Sequence, residues 1–217
     1  MRNLLLPPTE KRQQFELCAL GLRDFAGVAD NEPLDPFALA HFAKLMVIGF
    51  DAIEGLSPET RAHLLGDGAE EWSGGACSRP LPNGWRLVIL NPAHGKRRNR
   101  ATLMEEVAHV FLCHTPNRLA VMSEPPAVAG GQAVSRQVAA RDYNHDDEEA
   151  AYATGAAALV PYAALRRFVM GGSTADQIAR HFRVSRQLVE YRIKVTHLWA
   201  EYRSLQSRDS VTSTEHV

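Results

Sequence analysis

One stretch constrains this chain more than any other: residues 100–114, Arg-Ala-Thr-Leu-Met-Glu-Glu-Val-Ala-His-Val-Phe-Leu-Cys-His. It holds neither proline nor glycine, and its apolar residues recur at helical spacing, which predicts a helix. At about 100° per residue, Glu105, His109, Cys113 and Glu106 fall on one stripe. Leu103, Met104, Val107, Ala108, Val110, Phe111 and Leu112 cover the rest of its surface. A helix that is apolar almost all round is a buried one, so the fold must wrap it. Two carboxylates on a buried helix are costly unless something pairs with them. A metal ion is one such partner and a salt bridge is another.

Glu105 and His109 are four residues apart, so both can reach one ion, and Glu106 points to the same side. This is the zinc-peptidase motif His-Glu-x-x-His with one change: Glu105-Glu106-Val107-Ala108-His109 has a glutamate where the first histidine stands. In the full motif both histidines bind zinc and the glutamate is the general base. The motif is short. On these residues alone, a metal site and a buried helix with a salt-bridged Glu pair and a hydrogen-bonded His stand side by side.

The 217 residues suit one domain with a small appended module, and 45% hydrophobic content suffices for a core. A net charge of −1 excludes a global field that would draw the chain to nucleic acid or membrane. Cys18, Cys77 and Cys113 are scattered and odd in number, which fits neither a disulfide framework nor a cysteine zinc site and suits a reducing compartment. The apolar run at Leu4-Leu5-Leu6 is too short for a secretion signal. No apolar run approaches the roughly 20 residues that span a bilayer. The expectation is a cytoplasmic protein with no membrane partner.

Around the central stretch, residues 10–25 read as an amphipathic helix with Phe15, Ala19 and Leu22 on one side. A second helix starts at Pro36, capped by Asp35, and is expected to run from 37 to about 47. A short third helix follows Ser57 and ends near Leu65 and Gly66. From 72 to 91 glycine and proline are dense. Asn83-Gly84 signals a hairpin, and residues 85–90 a strand packed against the central helix. The basic run Lys96-Arg97-Arg98-Asn99-Arg100 is expected to be a solvated loop whose side chains turn to acidic residues. Residues 115–147 are expected to be a long loop ending in the polar cluster 143–147, where Asp146 and Asp147 suit the start of the next helix. In that helix, 148–160, Glu148, Ala151, Tyr152 and Gly155 share a face. Its small residues would let it approach a neighbour closely and bring Glu148 there.

Residues 173–196 read as helix, tight turn, helix. Arg183 and Val184 lie in the turn, Ser185 caps the second helix, and Ala179, Val184 and Val189 sit where the two would pack together. Arg180, Arg183, Arg186, Arg192 and Lys194 make the region basic. Either they meet DNA phosphates or the pair closes the core as a structural or docking element.

In order and spacing, the pieces from about Pro36 to Trp199 resemble the ImmA/IrrE family of metallo-endopeptidases, the IrrE N-terminal-like domain. The likeness rests on the strand ending in Asn91-Pro92 followed by the helix through Glu105, Glu106 and His109. It rests also on Glu148-x-x-Ala151-Tyr152 with Leu159-Val160-Pro161 behind it, and on Ile178-Ala179 through Val184-Ser185 to Tyr191-Arg192. The resemblance implies an α+β, zincin-like fold, mostly helical with a small antiparallel sheet. It implies a metallopeptidase domain over 1–165 and a helix-turn-helix-like segment over 166–204 packed on it; the Ser-, Thr- and Asp-rich residues 205–217 are expected to be a disordered tail. It implies His109 and Glu148 as zinc ligands and Glu106 as the catalytic general base, with Glu105 as a ligand in place of the family's histidine. A second carboxylate would shift preference toward harder ions such as manganese or weaken activity. His114 is a less favoured replacement ligand. Tyr152 and His145 are candidates for substrate or transition-state contacts through nearness to Glu148, and the strand at 85–90 could take a substrate segment along its edge. The implied activity is cytoplasmic cleavage of a regulatory protein, a helix-turn-helix repressor. The alternatives are a catalytically impaired member that binds a partner, and a DNA-binding regulator acting through 173–196.

Overall fold

The computed structural model describes residues 5–77, 79–114 and 144–212, with side chains to residue 207. Helix α1 (Glu10–Phe25) forms as its periodicity predicts. Its inward face is not purely apolar: Glu16 and Arg23 are buried beside Ala19 and Leu22, whereas Phe15 is only half-buried. Helix α2 (Pro36–Phe42) starts as expected, with the Asp35 side chain accepting from the Phe37 N–H. It stops sooner than the sequence reading. Lys44 turns left-handed at φ 53°, and Leu45–Ile48 is strand β1. Apolar and β-branched residues follow the turn, and the Arg86 N–H donates to the Lys44 carbonyl at 2.9 Å, which starts a sheet ladder in place of more helix. Helix α3 (Pro58–Leu65) is capped by Ser57, whose hydroxyl accepts from the Thr60 N–H.

Strands β2 (Gly74–Ala76) and β3 (Arg86–Leu90) complete a sheet whose order is β1–β3–β2 among the described residues. The β1–β3 pair is parallel and the β2–β3 pair antiparallel, so the sheet is mixed rather than antiparallel. Asn83 and Gly84 turn the chain at the tip of the β2–β3 connection, where Gly84 has φ 80° and donates to the Leu81 carbonyl. Gly74 is forced by crowding. A Cβ there would lie 2.8 Å from both the Ile89 carbonyl oxygen and a Thr102 methyl.

Helix α4 (Lys96–Phe111) carries the central stretch and begins in the basic run, which is therefore helical rather than a loop. Its basic side chains do reach acidic partners: Arg98 pairs with Glu70 at 2.8 Å, and Arg100 with Asp35 at 3.3 Å. Leu103, Met104, Val107 and Ala108 are fully buried. Burial of each of the three larger ones contributes about 1.5–3 kcal/mol. The last turn departs from the all-round burial expected, with Val110 and Phe111 exposed at its surface. Helix α5 (His145–Leu159) starts three residues earlier than anticipated, because Asn144 caps it by accepting from the N–H groups of Asp146 and Asp147. The rest of the expected 115–147 loop, including Tyr143, lies outside the described residues.

Helices α6 (Tyr162–Met170), α7 (Ala175–Phe182), α8 (Arg186–Val195) and α9 (Trp199–Thr212) follow. Between α7 and α8, Arg183 takes the left-handed conformation at φ 57° that glycine usually supplies. Ser185 caps α8, and Ala179, Val184 and Val189 are buried between the helices. The tail expected from 205 is helical to Thr212; residues 213–217 lie outside the described residues. One apolar core runs from Ala19 and Leu22 through Leu103 and Val107 to Ile178, Val189 and Ile193. The result is mostly helical with a small mixed sheet, an α+β architecture consistent with a zincin-like fold.

Candidate metal centre

The site is made by the crossing of α4 and α5. Gly155 has no side chain at the crossing, and a Cβ there would sit 3.2 Å from the Met104 carbonyl group and 3.3 Å from the Glu105 nitrogen. The two backbones therefore touch, with Ala151 fully buried one turn earlier. A further turn toward the start of α5 this contact carries Glu148 to the polar stripe of α4. Glu105, His109 and Glu148 each offer one ligand atom, all within 4.8 Å of one another. The His109 Nε2 lies 3.7 Å from a Glu148 carboxylate oxygen. Glu105 and Glu106 also line the cleft, which has a volume of about 730 Å³. Its opposite wall comes from Lys44 and Leu45 at the start of β1, from Gly74, Gly75 and Ala76 of β2, and from Arg86.

Electrostatically the centre gathers carboxylates of like charge. Burial pushes the Glu105 carboxyl up to about 7, and the charges of Glu106 and Glu148 push in the same direction. A divalent cation relieves this crowding of like charge. Two carboxylates and one imidazole are a donor set that zinc accepts and that harder ions favour. The residues present therefore fit a divalent metal.

The other candidates divide. Tyr152 packs its ring against Tyr191 at 5.0 Å. Its hydroxyl is pushed up to about 12 by burial, then by Tyr191 and the charge of Glu105, so it lies within electrostatic reach of the centre. His145 groups instead with Asp146 and Glu149 at the start of α5. The edge expected of residues 85–90 is not available, since β3 is the middle strand among the described residues; of the two edge strands, β2 lines the cleft along its length and β1 at Leu45.

The places of two residues at the site were not legible in the sequence. His114, considered only as a less favoured replacement ligand, comes back beside His109. Cys113 adopts φ 57°, the His114 N–H donates to the His109 carbonyl and the Cys113 N–H to that of Val110, a Schellman end to α4. A cysteine gives no sequence signal for a left-handed position. Asp147 suggested only a helix start, yet its carboxylate faces His114 Nε2 at 3.7 Å.

Comparison with curated proteins and with solved structures gives no match for this chain. A family model, described as the IrrE N-terminal-like domain, matches residues 75–194. That span covers more than half of the chain and takes in β3, both helices of the crossing and the α7–α8 pair. With Glu105, Glu106, His109 and Glu148 all inside the matched span, the chain belongs to the IrrE N-terminal-like domain family, a family of metallopeptidases.

Proposed function

We propose that this protein is a zinc-dependent endopeptidase of the cytoplasm that cuts a regulatory protein, a helix-turn-helix repressor being the expected substrate. The observation that carries the reading is the convergence of Glu105, His109 and Glu148 from two helices, with Glu106 in the same cleft. Those three side chains would hold the ion, zinc first and manganese as the harder alternative. When bound, it supplies Lewis acidity to the scissile carbonyl and to water. Glu106 takes the proton from the attacking water and passes it to the leaving amine nitrogen, so the peptide bond breaks without a free amide anion. β2 pairs on one side only among the described residues, and its other edge would offer N–H and C=O groups to an extended substrate segment along the cleft. Tyr152 is the better of the two candidate contacts for the developing oxyanion, because it feels the charge of Glu105.

Restraint follows from the same residues. A glutamate in place of a histidine raises negative charge at the ion and makes it a weaker acid catalyst. Glu105 accordingly also favours a second reading, a member with impaired catalysis that acts by binding its partner. The DNA-binding alternative has less support. Arg192 is buried against Glu16 at 2.6 Å, and Arg186 is paired with Asp176 and Glu190. Among the described residues no helix is long and apolar enough to cross a membrane.

The test is Glu106→Gln in the zinc-loaded protein, incubated with candidate helix-turn-helix regulators and with unfolded casein. Wild type should cut one regulator and leave casein intact. The variant should retain metal and partner but lose cutting by roughly 10²–10⁴-fold, since an amide cannot accept the proton. Cutting at the wild-type rate removes Glu106 from the mechanism. Failure of wild type to cut any regulator, with zinc present, moves the reading to partner binding alone.

A further inference from the structure

We propose that His114 is a positioning residue for His109, fixing its tautomer and ring plane through a hydrogen bond between the two Nδ1 atoms, with the Asp147 carboxylate facing the far side of His114. The inference rests on the reading of His109 as a metal ligand and extends it to residues outside the ligand set. The Nδ1 atoms are 3.0 Å apart, and the rings meet at 74°. A single proton must lie between them, and the surroundings decide which ring carries it. His109 Nε2 faces Glu148 at 3.7 Å, inside the group of ligand atoms. To donate a lone pair there, the neutral imidazole must carry its proton on Nδ1. His109 Nδ1–H is then the donor and His114 Nδ1 the acceptor. That assigns the His114 proton to Nε2, which faces the Asp147 carboxylate at 3.7 Å, longer than a direct hydrogen bond but close enough for the carboxylate's charge to favour a proton on that side. The chain of groups is His109, His114, Asp147, with the negative end outermost.

The fold builds this arrangement with local devices. The left-handed turn at Cys113 returns His114 to the helix that carries His109. Asn144 caps α5 in the place Asp147 would otherwise suit, which leaves the Asp147 carboxylate to face His114. The His114 side chain is 12% exposed and that of Asp147 34%, so the contact lies at the rim of the cleft, shielded on the His109 side. An imidazole in this role is unusual chemistry. Ligating histidines commonly donate to a carboxylate or a backbone carbonyl, and here a second ring takes that place, with the carboxylate facing its far side.

The experiment titrates zinc alone into the metal-free full chain against a chromophoric chelator, and reads the histidine tautomers of the zinc-loaded protein by nitrogen-15 NMR. His114→Ala should weaken zinc binding roughly 10–100-fold, the usual cost of losing such a partner. His114→Gln should restore affinity to near wild type, because its amide oxygen accepts from His109 and its NH₂ donates to Asp147. Wild type should give the Nδ1–H tautomer for His109. Equal losses in the alanine and glutamine variants overturn the proposal, as they would make His114 a ligand or a structural residue. Unchanged affinity in His114→Ala, or an Nε2–H tautomer at His109, overturns it also. Wild-type affinity in His109→Ala overturns the ligand reading and this proposal together, which separates the two failures.

Discussion

Glu105 is the residue on which the chemistry turns. In the zinc-peptidase motif His-Glu-x-x-His its position belongs to a histidine, and here a carboxylate stands half-buried beside Glu106 and within reach of His109 and Glu148. Burial and its acidic neighbours hold it up to about 7, so its full value as an anion is realised only beside a cation. On the proposed ligand set, Glu105→Ala removes one donor. It should weaken zinc binding by more than the roughly 10–100-fold typical of losing an outer hydrogen-bond partner. Glu105→His should keep zinc binding or strengthen it and shift selectivity away from manganese. Competition titrations with both metals check this, and wild-type zinc affinity in Glu105→Ala would make the side chain a bystander.

At the level of elements, the site depends on how closely α5 can lie against α4. Gly155 is the point of contact, and the bulk of a larger side chain has nowhere to go but into the Met104 carbonyl group and the Glu105 nitrogen. Gly155→Val should cost about 1–3 kcal/mol through overpacking. It should also weaken zinc binding, because Glu148 and Glu105 move apart with their helices. Thermal melting and a zinc titration on the same samples measure both effects. These elements were readable because their rules are local: four-residue spacing for Glu105 and His109, and small residues on one face for 151 and 155. The cleft's other wall was not. β2 is Gly-Gly-Ala, without β-formers. β1 pairs in parallel with a strand about 40 residues on, and both the end of α2 and the end of α4 turn on left-handed residues, Lys44 and Cys113, that are not glycine.

Over the whole molecule, α8 is tied to the metallopeptidase core by a buried charge network that sequence periodicity could not reveal, since an inward Glu16 reads as a surface residue of α1. Its carboxylate accepts from the Tyr162 N–H and from Arg192, both at 2.6 Å, while Arg192 also donates to the Val160 carbonyl at the end of α5. Arg192→Met leaves Glu16 buried without its cation and should destabilise the protein by about 3–5 kcal/mol. The Glu16→Leu, Arg192→Met double variant should recover part of that, as urea denaturation would show. The network joins the α7–α8 pair to the corner that follows α5, so the helix pair and the metal-site helices share one stability. The central claim remains that α4 and α5 together make one metal site. The most direct test is elemental analysis of purified wild type, His109→Ala and Glu148→Ala. About one zinc or other divalent ion per chain in wild type, and far less in both variants, is the expected result. Metal content unchanged in both variants would contradict the account.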